Sequence, residues 1–150
     1  MKILMLSGRG ESSLFIYNAL KYIFDIDNVI IEDSVSTKKL IKSRIKKLGL
    51  FKVTNQLIFQ LTIQKVLKLS SSNRIEELKS IYSLSTENIE DSVLINLSSV
   101  NDIESIVTIK KINPDIIIVN GTRIISTKVL DCTSAIVINT HVGITPQYRG

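Results

Sequence analysis

An apolar run near the end of the chain closes on Asn139, and His141, the only histidine in 150 residues, follows two positions later. On a strict strand, residues two apart share a face. A carboxamide and an imidazole N–H aimed at one point can hold negative charge on an oxygen, and the imidazole can also carry a proton. An asparagine at a strand end often only makes a turn, so the flanking residues decide. They supply an apolar stretch, Pro146 and then Arg149-Gly150. A second group is Ser7-Gly8-Arg9-Gly10. Such a loop can seat a phosphate on backbone N–H groups, with Arg9 adding charge, or it can be a plain strand-to-helix turn. A third is Gly121-Thr122-Arg123-Ile124-Ile125, directly after a buried-looking run. Cys132 has no His or Cys at metal-ligand spacing and reads as a small buried hydrophobe, so no metal is expected.

These groups need elements to hold them. Lys2–Ser7 is a short apolar run ending at the first glycine loop, and Ser12–Phe24 has helical apolar spacing. Asn28–Ile31 is a second apolar run. Strand, glycine turn, helix and strand make a βαβ opening. The pattern resumes with strands at Val93–Leu97, Asp115–Val119 and Ala135–Ile138. Between them, Asn101 with Glu104 reads as a capping pair, Pro114 as a turn and Thr127–Asp131 as a helical turn. The fold expected is α/β: a Rossmann-like open, mostly parallel sheet with helices on both faces. Such sheets carry their sites at the carboxyl ends of the strands, where Asn120-Gly121 and Asn139–His141 fall.

Residues 36–82 interrupt this rhythm as a basic helical insertion. Leu40, Ile41, Ile45 and Leu48 form one stripe, Gly49 breaks it, and Leu50–Leu69 reads as a second helix. Ser70-Ser71-Ser72-Asn73 reads as a loop, with Asn73 capping a helix Arg74–Tyr82 and Glu76 three residues on. From Ser34 to Ile75 there are ten Lys/Arg and no acid, which leaves the rest of the chain at −5. This segment can be a solvated face, a surface for RNA or a nucleotide-linked substrate, or an interfacial helix on anionic lipid. No aromatics are interleaved with the lysines, which weighs against single-stranded nucleic acid. A single cysteine suits a reducing compartment, the opening MKILMLSGRG reads as a strand and not a signal peptide, and no eighteen-residue apolar run occurs. A cytoplasmic location is expected.

PDIIIVNGTRIIS together with INTHVGITPQYRG resembles the amino-terminal catalytic domain of the 10-formyltetrahydrofolate-dependent formyltransferases. That family carries an Asn-x-His at the end of a central strand, then an apolar stretch, Pro and Arg/Lys-Gly. Here the match is Asn139, His141, Pro146, Arg149 and Gly150. The likeness covers both ends of the chain and is weak at 34–75. Val142 and Thr145 depart from the family's usual Pro and Leu.

The resemblance implies transfer of a formyl group from 10-formyltetrahydrofolate to a primary amine. Asn139 would hold the formyl oxygen, and His141 would donate to the oxyanion or shuttle a proton. Gly121, Thr122, Arg123, Ile124 and Ile125 would face the folate. Ser7, Gly8, Arg9 and Gly10 would bind the amine substrate's phosphate. The acceptor could be an amino sugar, glycinamide ribonucleotide or an aminoacyl-tRNA, and the opening loop and basic insertion favour an amino sugar or other small phosphorylated amine.

The family also has a catalytic Asp some tens of residues after the His, and none of Asp102, Asp115 or Asp131 matches it. Residues 1–150 therefore read as an incomplete catalytic domain with little or no transferase activity alone, its last strand offering an unpaired edge. The methionyl-tRNA reading also wants a carboxy-terminal domain. Two other readings are a non-catalytic basic module for RNA or anionic membrane, and a remnant that still binds folate.

Overall fold

The computed structural model describes residues 1–140 except the Lys39 side chain. Two compact units divide the chain, one made of Met1–Ser34 with Ser85–Gly150 and the other of Val35–Leu84.

The first unit is a Rossmann-like sheet. Its strands are β1 (Ile3–Ser7), β2 (Asn28–Glu32), β3 (Leu94–Leu97), β4 (Ile116–Asn120) and β5 (Ile136–Asn139). They lie in the order β3-β2-β1-β4-β5, with every pair parallel. Met5 sits opposite Val29 on one side and Ile118 on the other, so β1 is the central strand. The helices are α1 (Glu11–Lys21), and, numbered along the whole chain, α6 (Ile103–Ile112) and α7 (Thr127–Leu130).

Continuous apolar runs make sense because both faces of this sheet are covered. Leu4, Leu6, Ile30, Ile117 and Val119 pack with Ile109 of α6 and Val129 of α7. Their neighbours in sequence, Ile3, Met5, Val29 and Ile118, point the other way and pack with Tyr17 of α1. Cys132 is half-buried against the first of these clusters. That burial pushes its thiol above the ordinary value, opposed by the Lys110 ammonium. A raised thiol carries less thiolate at neutral pH. Alkylation of Cys132 by iodoacetamide should therefore run a few-fold slower than that of a free cysteine peptide at neutral pH, with its rate-against-pH midpoint displaced upward. An equal or lower midpoint would contradict the burial.

Two local expectations for this unit are corrected. Helix α1 ends at Lys21 and not at Phe24: Ile23 and Phe24 both donate to the Leu20 carbonyl as the chain turns away. Helix α6 is capped at Asp102, while Asn101 turns to the loop after β4. The helix closes on Asn113 at φ 50, the left-handed conformation that asparagine tolerates, just before Pro114. Among the described residues β5 ends the sheet on this side, and the side chains of Ile136, Val137 and Ile138 are exposed.

The second unit is all helical: α2 (Thr37–Leu48), α3 (Leu50–Leu61), α4 (Ile63–Ser70) and α5 (Ser72–Ile81). Gly49 joins α2 to α3 at φ 81. The single helix expected over Leu50–Leu69 is broken at Thr62, whose hydroxyl donates to Ile58 O at 2.7 Å. The loop expected at Ser70–Asn73 narrows to the one residue Ser71, and Asn73 lies inside α5 instead of capping it. The hydroxyls of Ser70, Ser71 and Ser72 donate back to the carbonyls of Leu67 and Leu69, which keeps the chain wound. Glu76 pairs with Lys79 at 2.9 Å and does not reach back to the helix start.

Candidate functional site

In a parallel sheet of this strand order, the chain leaves β1 toward one face and β4 toward the other. A crevice opens where the directions part. A cavity of about 620 Å³ lies there, at the carboxyl ends of β4 and β5. Its floor is Val119, Asn120 and Val137, and its walls include Ser12 from the start of α1 and the segment Gly121–Ile125. Asn139 and Thr140 complete it from β5. Val137 and Asn139 both line it, as the two-residue repeat of a strand requires.

The segment after β4 is held from three sides. Gly121 takes φ 66, a left-handed turn that glycine adopts without strain. The Arg123 N–H donates to Glu32 Oε1 at 2.5 Å. Asn101 Nδ2 donates to Ile124 O at 2.9 Å, and Asn101 Oδ1 accepts the Ser126 N–H at 2.7 Å. The paired isoleucines then divide their work. Ile125 is half-buried against the core, while Ile124 is 94% exposed at the cavity. Thr122 lines the cavity beside them.

The two cations of this rim are engaged by carboxylates of their own unit. Arg123 Nε lies 2.6 Å from Glu32 Oε2, and its Nη2 donates to Asp33 O and Ser98 O. Arg9 Nη2 pairs with Asp33 Oδ1 at 2.9 Å and donates to Asn96 Oδ1 at 3.1 Å. Within the opening loop, Ser7 is buried, the Gly8 N–H donates to Asn120 O at 3.0 Å, and Gly10 is the extended residue before α1. Gly8 thus spends its N–H inside the fold. Arg9, about half exposed, keeps part of its guanidinium toward water.

Asn120 is the polar hub that sequence reasoning placed at a strand end without giving it a task. It is 5% exposed. Its Nδ2 donates to Ser12 Oγ at 3.3 Å and Ser13 Oγ at 3.2 Å, and its Oδ1 accepts from Thr140 Oγ1 at 2.8 Å. Ser13 Oγ donates in turn to Gly8 O at 2.7 Å. The Asn120 carboxamide therefore ties the end of β4 to the end of β5 and the start of α1, while its backbone carbonyl holds the loop after β1. Ser12, Asn120 and Thr140 were legible only as polar residues beside turns.

Asn139 is exposed at the cavity, and no described residue hydrogen-bonds its carboxamide. Asn139 and the five residues Gly121–Ile125 thus meet in one place. Ser7–Gly10 adjoins them through Gly8 and Asn120. His141, Pro146, Arg149 and Gly150 lie outside the described residues. Asp115 sits at the opposite, amino end of β4, where its carboxylate accepts the Lys2 N–H. Apolar walls with a few convergent amide and hydroxyl groups suit a flat heteroaromatic ligand with polar edges. Comparison with models of known protein families and with curated proteins gave no match.

Proposed function

We propose that this cavity takes 10-formyltetrahydrofolate and that the chemistry is formyl transfer to a primary amine, an amino sugar or another small phosphorylated amine. One observation carries the reading: the carboxamide of Asn139, to which no described residue hydrogen-bonds, and the Gly121–Ile125 wall line a single cavity at the carboxyl edge of the sheet. In the reaction the amine nitrogen attacks the formyl carbon, the carbonyl oxygen gains negative charge, and the bond to the folate N10 then breaks. Asn139 donates to that oxygen, and such a donor is worth roughly 10²–10³ in rate. His141 carries the amine proton toward N10. Ile124 provides the apolar wall for the pterin.

Binding tests this without requiring turnover. Calorimetric titration with 10-formyltetrahydrofolate should show a saturable site, and Ile124→Asp should weaken it roughly tenfold or more. Ile124 is almost fully exposed, so the variant keeps the fold. An unmodified chain that takes up no folate would sink the reading. Arg9→Ala should weaken a phosphorylated amine and leave folate affinity unchanged. If both fall together, Arg9 does not belong to the amine side.

A further inference from the structure

The helical unit Val35–Leu84 carries apolar side chains that it does not bury. Phe51 is 88% exposed, Leu69 76% and Val66 63%, and Val53 is the one buried side chain among the described residues of the unit. The arrangement is two-sided. On α4, Ile63, Val66 and Leu67 fall on one side at helical spacing, with Gln64, Lys65 and Lys68 on the other. On α2, Leu40, Ile41, Ile45 and Leu48 make an apolar stripe with Lys38, Lys42, Arg44, Lys46 and Lys47 around it; Leu40 and Leu48 are exposed and Ile41 and Ile45 half-buried. Leaving such side chains in water forfeits about 1.5–3 kcal/mol each, so the face calls for an apolar occupant.

Charge selects that occupant. Ser34–Ile75 holds ten cations and no acid. A second copy docked through this face would set those cations against the same number, within the roughly 8 Å over which charges interact at physiological salt. Nucleic acid offers phosphates but no apolar layer. An anionic bilayer offers both: a negative headgroup layer, and acyl chains into which an interfacial helix sinks by about 5–10 Å. Lysine stems reach from the apolar level back to the headgroups. Among the described residues no helix is long and apolar enough to cross a membrane, so a lipid contact here would be interfacial. We propose that α2–α4 form an interfacial binding element for anionic lipid, which brings the sheet unit to a membrane surface.

The full chain has no tryptophan, so a single introduced one reports its own surroundings. Leu67→Trp, on the apolar side of α4, should shift its emission to the blue with phosphatidylcholine–phosphatidylserine vesicles and stay unchanged with phosphatidylcholine alone. The wild-type chain should sediment with the first vesicles only, less so at high salt. Replacing both Lys65 and Lys68 by Ala should weaken binding roughly 30-fold, and Val66→Ser with Leu67→Ser roughly tenfold or more. All four residues are exposed, and unchanged far-ultraviolet dichroism confirms the helices. Equal sedimentation with both vesicle types, or none, overturns the proposal. So does concentration-dependent self-association that the Val66→Ser/Leu67→Ser variant abolishes, which assigns the face to a second copy. Binding to RNA alone, or to an acidic protein alone, likewise overturns it.

Discussion

Glu32→Ala should lower the unfolding free energy by about 3–5 kcal/mol, the usual consequence of removing one partner from a buried ion pair. Glu32 stands at the carboxyl end of β2 and is 6% exposed. Its Oε2 lies 2.6 Å from Arg123 Nε and accepts the Val100 N–H at 3.1 Å, while Oε1 accepts the Arg123 N–H. One carboxylate therefore joins β2 to the loop before α6 and to the loop after β4. Alanine strands a guanidinium and two backbone donors at once. The Arg123 side chain remains 31% exposed and keeps its bonds to Asp33 O and Ser98 O, so water relieves part of the loss and the lower end of the range applies. Glu32→Gln preserves the volume and one acceptor and should lose about half as much, on the scale of one charge-assisted hydrogen bond, about 1.5–3 kcal/mol. Urea titration reads both as a lower midpoint at unchanged slope. A loss under about 1 kcal/mol for Glu32→Ala would mean that the three contacts are not formed together. Because Arg123 is the middle of the cavity wall, the folate binding proposed for the cavity should weaken in step.

The sheet was legible because its residues state their surroundings locally. Leu4–Leu6 and Ile116–Val119 are apolar on consecutive positions, which a strand covered on both faces allows and an exposed one does not. The insertion declared itself by charge. What failed to show were bonds between residues far apart in sequence. Asn101 and Glu104 have the spacing of a capping pair, yet Asn101 spends both ends of its carboxamide on Ile124 and Ser126. Serines at 70–72 look like a loop because serine favours turns, but their hydroxyls found carbonyls one turn back. The site followed the same division. Gly121–Ile125 and Asn139, expected at strand ends, do line one cavity, since a parallel sheet gathers such ends along one edge. Asn120 and Thr140 also fell at those ends, but what they bond, like the roles of Ser12 and Glu32, was not legible, because each acts through partners that only the strand order brings near. The openness of the insertion's apolar face was also invisible, since a stripe at helical spacing reads the same whether covered or bare.

Gly8→Ala should destabilise the sheet unit by about 2–4 kcal/mol, from overpacking and a lost backbone hydrogen bond. A Cβ built on Gly8 falls 2.1 Å from Gly121 O and 2.9 Å from Gly121 C, and a real Cβ essentially never comes within 3.0 Å. The obstacle is backbone, so no rotamer change relieves it. The loops after β1 and β4 must part by about 1 Å, which breaks the Gly8 N–H bond to Asn120 O and disturbs the Ser13 contact to Gly8 O. Gly10→Ala is the matched control: its nearest neighbour is Ser12 Oγ at 3.9 Å and its backbone is extended, so its stability should stay within about 0.5 kcal/mol of the parent. The pair separates two meanings of a glycine loop. If Gly8 serves only to expose N–H groups to a phosphate, both variants should retain the parent's urea midpoint and differ only in ligand affinity. If Gly8 is there because two loops touch, its variant alone should lose stability with no ligand present. Its cavity should open as Gly121 is displaced, and the proposed folate binding should be lost with it. The 2.1 Å approach argues for the second outcome, and equal midpoints for the two variants would refute it.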